Sequence, residues 1–537
     1  MKKFFLQHFI LFILFIFYSI TELYAQQTVV MQHDLLVRYD SLLNHLDNEF
    51  HTGFKPYFVQ PAMKINPDSV DAALRVKTHY INWFWRKLRY ENLIGIDTQD
   101  FKLNINPMVI GTITKQTDTT AFFYQNTRGF RINGTIGERL AFESSFYENQ
   151  SEFPSYISDF VKANGIAPGQ GLVKSFKSNG YDYAYASGLV SFSPGRYFNI
   201  QFGHGKNFIG DGYRSLLLSD VGFNYPFLKI NTTVWKISYT NLFATFIDTR
   251  APHTYEGGFQ KKHATFHYLS VNLHKRLQIG LFEAIIWQDA DSLGRRGYDL
   301  NYFNPVIFYR PVEFSLSSPD NALIGATMKL KISNALIFYG QLVIDDFDLG
   351  GMKKGHGYLL NKTGYQTGLK YYNFLGIPHL FIQAEYNRVR PYVYAHKSPS
   401  QNYTHYNQPL AHPLGANFEE ITGRIDYRIN DLIFRYKINY ARYGADTNGT
   451  HWGHDIFISD FKALRGFPSY NNTVLQGLLT TLTWHQFEVA YLLNPRYNLC
   501  LNFKISMRTL ENMLKNTHQN FIAAGISTSL ENLYNDF

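Results

Sequence analysis

"GRIDYRINDLIFRYKINY", residues 423–440, decides the fold. Ile425, Tyr427 and Ile429 fall on one side of an extended chain, and Arg424, Asp426 and Arg428 on the other. Past the tight-turn pair Asn430-Asp431, Leu432, Phe434, Tyr436 and Ile438 alternate with Arg435 and Lys437. Successive side chains of a strand point to opposite faces, so both arms are strands with one apolar and one charged face. "LIGATMKLKIS", residues 323–333, repeats the pattern, with Ala326, Met328, Leu330 and Ile332 set against Thr327, Lys329, Lys331 and Ser333. A soluble sandwich also alternates. These runs, however, reach about ten residues, the length of a tilted strand that crosses a bilayer.

Short turns recur along the chain, at Gly137-Glu138, Ser193 to Gly195, Thr240-Asn241, Lys275-Arg276, Ser333-Asn334, Leu375 to Pro378, Asn430-Asp431 and Asn494 to Tyr497. They alternate with longer polar connections, which is the asymmetry of outer-membrane barrels, short periplasmic turns against long external loops. Eight such turns join sixteen strands, and one further strand at each end makes about eighteen. Aromatic residues are 17% of the chain, as girdles at both membrane interfaces require. The fold expected is an all-β transmembrane barrel of about eighteen antiparallel strands over residues 99–537, with a small α-helical periplasmic part over 26–98.

The ends have their own character. Lys2 and Lys3, the apolar run Phe4 to Phe17 and the small residue Ala25 read as a secretory signal over residues 1–25. The run is shorter than the roughly 20 residues of a spanning helix. "HDLLVRYDSLLNHLDNEF" from His33 puts Leu35, Leu36, Tyr39, Leu42, Leu43 and Leu46 at helical spacing, and residues 68–88 do the same with Val70, Leu74, Tyr80, Ile81, Phe84 and Leu88. These helices are expected at the periplasmic mouth, with entry into the lumen as a plug as the alternative. The last strand is expected to run to Phe537, a terminal aromatic that resembles the signal read by the barrel-insertion machinery.

The net charge of +9 suits anionic polysaccharide or lipopolysaccharide phosphate. Its basic residues are scattered without a long block, which sets nucleic acid aside. A single cysteine, Cys500, excludes an internal disulfide and a cysteine metal site.

"FGHGKNFIGDGYRSLLLSDVGFNYPF", residues 202–227, is rich in glycine and carries Lys206 and Arg214. It is not a nucleotide loop: Lys206 precedes Gly210 and Gly212, and no Ser or Thr directly follows it. The stretch follows the fifth strand and is expected to be an external loop near the barrel mouth. Its Gly210, Gly212, Ser215, Leu216, Leu218, Ser219 and Pro226 resemble, in order, the corresponding region of the Wzi family of bacterial capsule assembly proteins. The chain is also similar to the RemB gliding-motility proteins, through "HTGFKPY" (51–57), "NPVIFYRPVEFS" (304–315), "SPDNALIG" (318–325) and the final "YNDF". Asn207, Phe208 and Ile209 stand where the Wzi family carries tryptophans, so sugar contacts there are not carried over. The resemblance implies an outer-membrane barrel of eighteen strands with a helical periplasmic part. It also implies attachment or assembly of surface capsular polysaccharide without catalysis or a cofactor. A motility role and a diffusion porin are the alternatives; lumen-facing Arg424, Arg428, Arg435 and Lys437 would suit an anion path.

Candidate chemistry is sparse. His263 and His267 are four residues apart, about 13 Å along a strand, too far to share an ion, and are expected to line the lumen. Asp345, Asp346 and Asp348 could hold calcium at a loop end, and paired carboxylates such as Glu419-Glu420 or Asp289 with Asp291 could in principle serve a glycosidase, although nothing in the sequence fixes their separation. The best saccharide candidates lie in and beside the long loop from Asp289 to Asp320. Trp287, Tyr298, Tyr302 and Tyr309 offer ring faces beside Asp299 and Arg310. The alternative is that these aromatics pack the loop down.

Overall fold

The computed structural model describes residues 28–58, 63, 70, 82–251, 257–291, 294–305, 307, 320–345, 356–447, 449–461 and 469–537. The signal expected at 1–25, most of the second helix, Asp346, Asp348, Tyr309 and Arg310 lie outside these residues.

Eighteen strands close into one antiparallel barrel. In chain order, β1 to β9 are Phe101–Gln116, Phe122–Ile136, Leu140–Glu152, Gly180–Gly195, Phe198–Gly205, Tyr225–Val234, Ile237–Asp248, Gln260–His274 and Leu277–Gln288. β10 to β18 are Asn321–Lys331, Leu336–Asp345, Lys362–Tyr371, Leu380–Val389, Phe418–Ile429, Leu432–Ala445, Leu478–Asn494, Leu499–Glu511 and Asn516–Thr528. Each pairs with the next, and β18 closes on β1 with Phe521 opposite Gln116 and Ser527 opposite Ile110. A short strand, Ile94–Asp97, adds to the start of β1.

The alternation read from sequence sorts the wall. On β10, Thr327, Lys329 and Lys331 are buried toward the lumen, while Met328, and Ile332 just past the strand, are exposed outside. On β14 and β15, Ile421, Ile425, Ile429, Leu432, Tyr436 and Tyr440 form the exposed outer face. An exposed apolar wall is the lipid-facing surface of a membrane barrel, because every strand hydrogen bond is already satisfied within the closed sheet.

The eight turns expected from the sequence lie at one rim; at the other the connections are longer, apart from residues 117–121 between β1 and β2 and 512–515 between β17 and β18. Two stand apart from their expected places: β4 and β5 are joined at Arg196-Tyr197 rather than Ser193 to Gly195, and β6 and β7 at Trp235-Lys236 rather than Thr240-Asn241. The second was misread because Asn241 signals a turn, yet it pairs with Ile230 inside the sheet, while Trp235 takes the left-handed conformation, at φ 54°. The strand count survives because the turn is displaced, not lost.

The helical part divides between the lumen and the rim. α1 (His33–Leu43) begins where the Gln32 side chain accepts the Leu35 N–H at 2.9 Å, and it buries Leu36, Tyr39, Asp40 and Leu43. Its Asp34 meets Arg424 at 2.8 Å and Arg435 at 3.2 Å, and Asp40 meets Lys370 at 2.8 Å, all three cations projecting from the inner wall. Lys331 donates to the carbonyls of Leu43, His45 and Asn48 just past the helix end, where a cation is favoured. Residues 28–58 are therefore a plug. Two carboxylates on a short helix find partners inside the barrel that no packing beneath it would supply. α2 (Trp83–Arg89) lies outside at the short-turn rim, tied by Arg89 to Asp431 at 2.8 Å and by Asn494 to the Lys87 carbonyl at 2.8 Å.

The last strand stops at Thr528, not at Phe537. Residues 529–537 turn back into the lumen, where Leu530, Tyr534 and Asp536 are buried. Phe537 packs on Tyr156 and Phe160 of α3 (Ser155–Asn164), a helix in the connection between β3 and β4. The terminal aromatic thus belongs to the lumen filling and not to a strand end.

Candidate functional site

The glycine-rich connection, residues 206–224, descends into the barrel and is held by polar side chains of the wall. Gln341 receives the Leu216 N–H on Oε1 at 2.8 Å and donates Nε2 to the Ile209 carbonyl at 2.9 Å. Glu385 accepts the N–H groups of Tyr213 and Arg214 at 2.8 and 3.1 Å. Backbone donors that could have cradled a phosphate are thus turned onto a carboxylate of the wall. Gly210 and Gly212 allow the approach: a Cβ on Gly212 would stand 2.5 Å from Glu385 Oε2, and Gly210 also has φ 128°. Ser215 donates to the Ile209 carbonyl at 2.6 Å, and Ser219 Oγ receives the Val221 N–H at 3.3 Å, so both family-motif serines shape the loop from within.

Three segments meet on this loop. Phe54–Lys55 of the plug pairs antiparallel with Phe208–Ile209, Thr52 donates to Asp211 at 2.6 Å, and Tyr57 donates to Asp40 at 2.8 Å. Burial lowers the Lys55 ammonium to about 8 despite Asp211 and Asp40 nearby. From the other terminus, Asp536 pairs with Arg214 at 3.0 Å and Lys437 at 3.3 Å, while Tyr534 donates to Asp220 at 2.8 Å. Burial alone would raise the Asp536 carboxyl, but Arg214 and Lys437 outweigh it and hold it low. Above the loop, Leu216, Leu217 and Leu218 join Phe246, Phe266, Phe282, Tyr394 and Tyr403 in an apolar core. Burying each such leucine stabilises the filling by about 1.5–3 kcal/mol. The lumen is not solid throughout. A crevice of about 350 Å³ runs beside the tail from Phe123 to Asn498, with Asp34, Arg435, Lys437, Glu488 and Lys504 on its walls.

The loops over this filling form a roof. Tyr394 and Tyr403, from the connection 390–417, donate to the Leu216 and Leu217 carbonyls at 2.7 and 2.5 Å. The same connection carries a small hairpin, Thr404-His405 against Gln408-Pro409, whose tip residues Tyr406 and Asn407 have φ 48° and 52°, as a type I′ turn demands. His405 fixes it: Nδ1 accepts the Ile247 N–H at 3.0 Å and Nε2 donates to the Asn224 carbonyl at 3.1 Å. At the tip four connections converge. Exposed Arg250 donates to Asn164 Oδ1 at 3.0 Å and Asn407 Oδ1 at 3.2 Å, with its guanidinium 4.0 Å from the centre of the Phe457 ring. Amide, guanidinium and ring groups at solvent can address sugar hydroxyls, carboxylates and C–H faces. Sequence reasoning missed this cluster because its members come from connections up to about 290 residues apart, between Asn164 and Phe457.

The aromatic loop takes another course, folding down over the outer wall of β7, β8 and β9. Trp287 is fully buried and donates Nε1 to the Gly297 carbonyl at 3.0 Å. Tyr302 is equally buried and donates to Asp320 at 2.8 Å, and half-buried Tyr298 packs edge-on against Trp287. Asp299 caps the short helical turn Leu300–Phe303 and pairs with Arg296 at 2.9 Å. Phe303 stacks on Phe243, and Tyr239 donates to the Pro305 carbonyl at 2.7 Å. The structure thus brings Trp287, Tyr298, Asp299 and Tyr302 together as the packing of the loop.

Other expectations change with the register. His263 and His267 do share a face, but it is the outer one beneath this loop, because Lys262, Ala264, Phe266 and Tyr268 take the lumen side. His263 Nε2 pairs with Asp289 at 2.9 Å instead of a metal. Among the described residues no group of three potential ligands could hold an ion. Asp345 receives the Tyr394 N–H at 2.7 Å. Glu419 and Glu420 lie on opposite faces of the wall, Glu420 inside with Arg214 and His412, so they cannot act on one bond.

Fold and site define a class: a closed, eighteen-strand β-barrel with a lipid-facing wall, its lumen occupied by residues 28–58, residues 529–537 and an inserted loop. Neither a protein-family model nor a curated protein sequence matches the chain. Among solved structures, the fold is similar to that of Wzi from Escherichia coli, an outer-membrane protein involved in group 1 capsule assembly and a carbohydrate-binding β-barrel. The TM-score is 0.53 at 15% identity, over 94% of this chain and 99% of that one. OprD of Pseudomonas aeruginosa aligns with a TM-score of 0.41 at 10% identity, over 82% of this chain and 96% of that one.

Proposed function

We propose that this protein resides in the bacterial outer membrane, short turns toward the periplasm and roof toward the exterior, and holds surface polysaccharide there without catalysis. The observation that carries the reading is the roof. Four connections that close over a filled lumen present Arg250, Asn164, Asn407, Tyr406 and Phe457 together, a composite surface with the cationic and aromatic character an acidic polysaccharide needs. The shared fold with a carbohydrate-binding barrel supports it, as does the net positive charge. The aromatic loop then acts as a brace on the outer wall and not as a contact. Capsule-strand assembly and the motility role implied by the RemB-like motifs are alternative uses of the same surface.

The test is the amount of polysaccharide released into the medium by a deletion strain complemented with Arg250→Ala/Tyr406→Ala. Release as high as in the uncomplemented deletion supports retention through the roof. Parental retention by this variant would sink the roof assignment, and no release on deletion would sink the function.

A second reading rests on the crevice beside the C-terminal tail. Lined by charges of both signs, it would pass small ions with little selectivity, as a constricted pore.

A further inference from the structure

Where the wall of β12 to β15 emerges from its apolar belt toward the long connections, the outward row changes from rings and aliphatics to guanidinium groups. Arg388 on β13 stands opposite Tyr365 on β12 and Glu419 on β14, and Glu419 stands opposite Arg442 on β15. Arg388 and Arg442 both pair with Glu419, at 3.4 and 3.1 Å, and each keeps 41% of its side chain exposed. Arg390, two residues on, directs Nη2 to the Asn472 carbonyl at 3.4 Å and leaves its buried Nε without a partner. Among the described residues, three arginines against one carboxylate leave a local excess of two positive charges.

Arg388 and Arg390 line a groove of about 510 Å³, together with His356, Thr363, Tyr365 and Asn472, and Arg442 stands beside it across Glu419. The groove is built. Its far wall is two connections tied backbone to backbone, Asn472 N to Gly357 O at 2.9 Å and Leu359 N to Ser469 O at 2.9 Å. Tyr365 of its lining packs against the Tyr386 ring, centroids 6.0 Å apart, with Ile421 and Leu369 exposed beyond. Tyrosines of this kind mark the membrane interface, so the arginines stand at headgroup height and the apolar surface beside them at acyl-chain depth.

We propose that this groove binds the phosphorylated headgroup of an outer-leaflet glycolipid, with its acyl chains along the adjoining wall. Guanidinium is the side chain whose planar fork matches phosphate oxygens, and a phosphate monoester carries about −1.5 to −2 charges, close to the local excess. A free anion would use the arginines alone; only a lipid would use arginines and apolar wall together. The inference rests on the bilayer placement of the barrel and not on the polysaccharide reading.

The test uses full-length barrel in nanodiscs or detergent and no polysaccharide, so it stands apart from the test of the roof. Binding of bisphosphorylated lipid A is measured beside dephosphorylated lipid A with the same acyl chains and beside competing inorganic phosphate. Arg388→Gln/Arg390→Gln is expected to lower affinity for the phosphorylated lipid tenfold or more, and Arg442→Gln alone several-fold. Exposed Arg128→Gln, on the outer face of β2, is expected to leave binding unchanged. Folding of each variant is checked by the heat-dependent gel shift of a closed barrel, and if the double variant does not fold, the Arg442 variant decides. Equal binding of the phosphorylated lipid by wild type and the folded arginine variants, equal binding of the two lipids, or displacement by millimolar inorganic phosphate would each overturn the proposal.

Discussion

Arg214 and Asp536 meet in the middle of the barrel, Nη2 to Oδ2 at 3.0 Å, although one belongs to the glycine-rich connection and the other stands one residue before the end of the chain. Neither side chain is more than 1% exposed. Glu420 of the wall lies 3.2 Å from the same guanidinium nitrogen, so loop, tail and strand are locked at one point.

Removing one partner of a buried pair leaves an uncompensated charge and costs about 3–5 kcal/mol. Asp536→Asn is expected at the lower end, because Arg214 keeps Glu420. The tail should leave the lumen while the barrel stays closed. Carboxypeptidase digestion of folded protein checks this: residues 529–537 should be removed from the variant much faster than from wild type.

A methyl group on Gly212 would stand 2.5 Å from Glu385 Oε2 and 2.6 Å from the Arg214 carbonyl, whereas one on Gly195 meets nothing within 4 Å. Overpacking of that kind costs about 1–3 kcal/mol. Gly212→Ala should therefore lower the denaturation midpoint of the folded barrel, and Gly195→Ala should leave it within error.

His405 docks the roof hairpin in its neutral form, and burial lowers its pKa to about 3. An exposed histidine titrates near 6.5. Since the folded value is the lower one, the docking free energy is complete above about pH 6.5 and declines as pH falls toward 3. Hydrogen-exchange protection of residues 404–409 should fall by up to tenfold per pH unit in that window. In His405→Ala the protection should be low at every pH.

Leu216, Leu217 and Leu218 are fully buried in the filled lumen. In planar bilayers the intact protein should show no step of the size of an open barrel. Asn532, Tyr534 and Asn535 line the remaining crevice, so a chain ending at Thr528 should conduct more. Large steps from the intact protein would return the diffusion-pore reading.

Much of the wall was legible because its signal is local. A strand alternates with period two wherever it lies, so Lys329 and Met328 declare opposite faces without knowledge of any neighbour. Turns were less legible: Asn241 carries a turn residue into mid-strand, and Trp235 makes a turn without one. The face given to His263 and His267 failed for a further reason. Alternation says which residues share a side, but on β8 both sides are covered, one by the lumen filling and one by the aromatic loop.

The sequence by itself determined the barrel class, the strand number, the two kinds of connection and the charged inner face of β14 and β15. Tertiary structure alone decided what the lumen holds and what meets at the roof. Asp34 finds Arg424 across 390 positions, Arg214 finds Glu420 across 206, and Arg250 finds Asn407 across 157. Such pairings depend on closure of the sheet, which fixes the distance between side chains that no local pattern relates. Until β18 meets β1 there is no interior, and hence no reason in the local sequence for residues 28–58 and 529–537 to be buried in it.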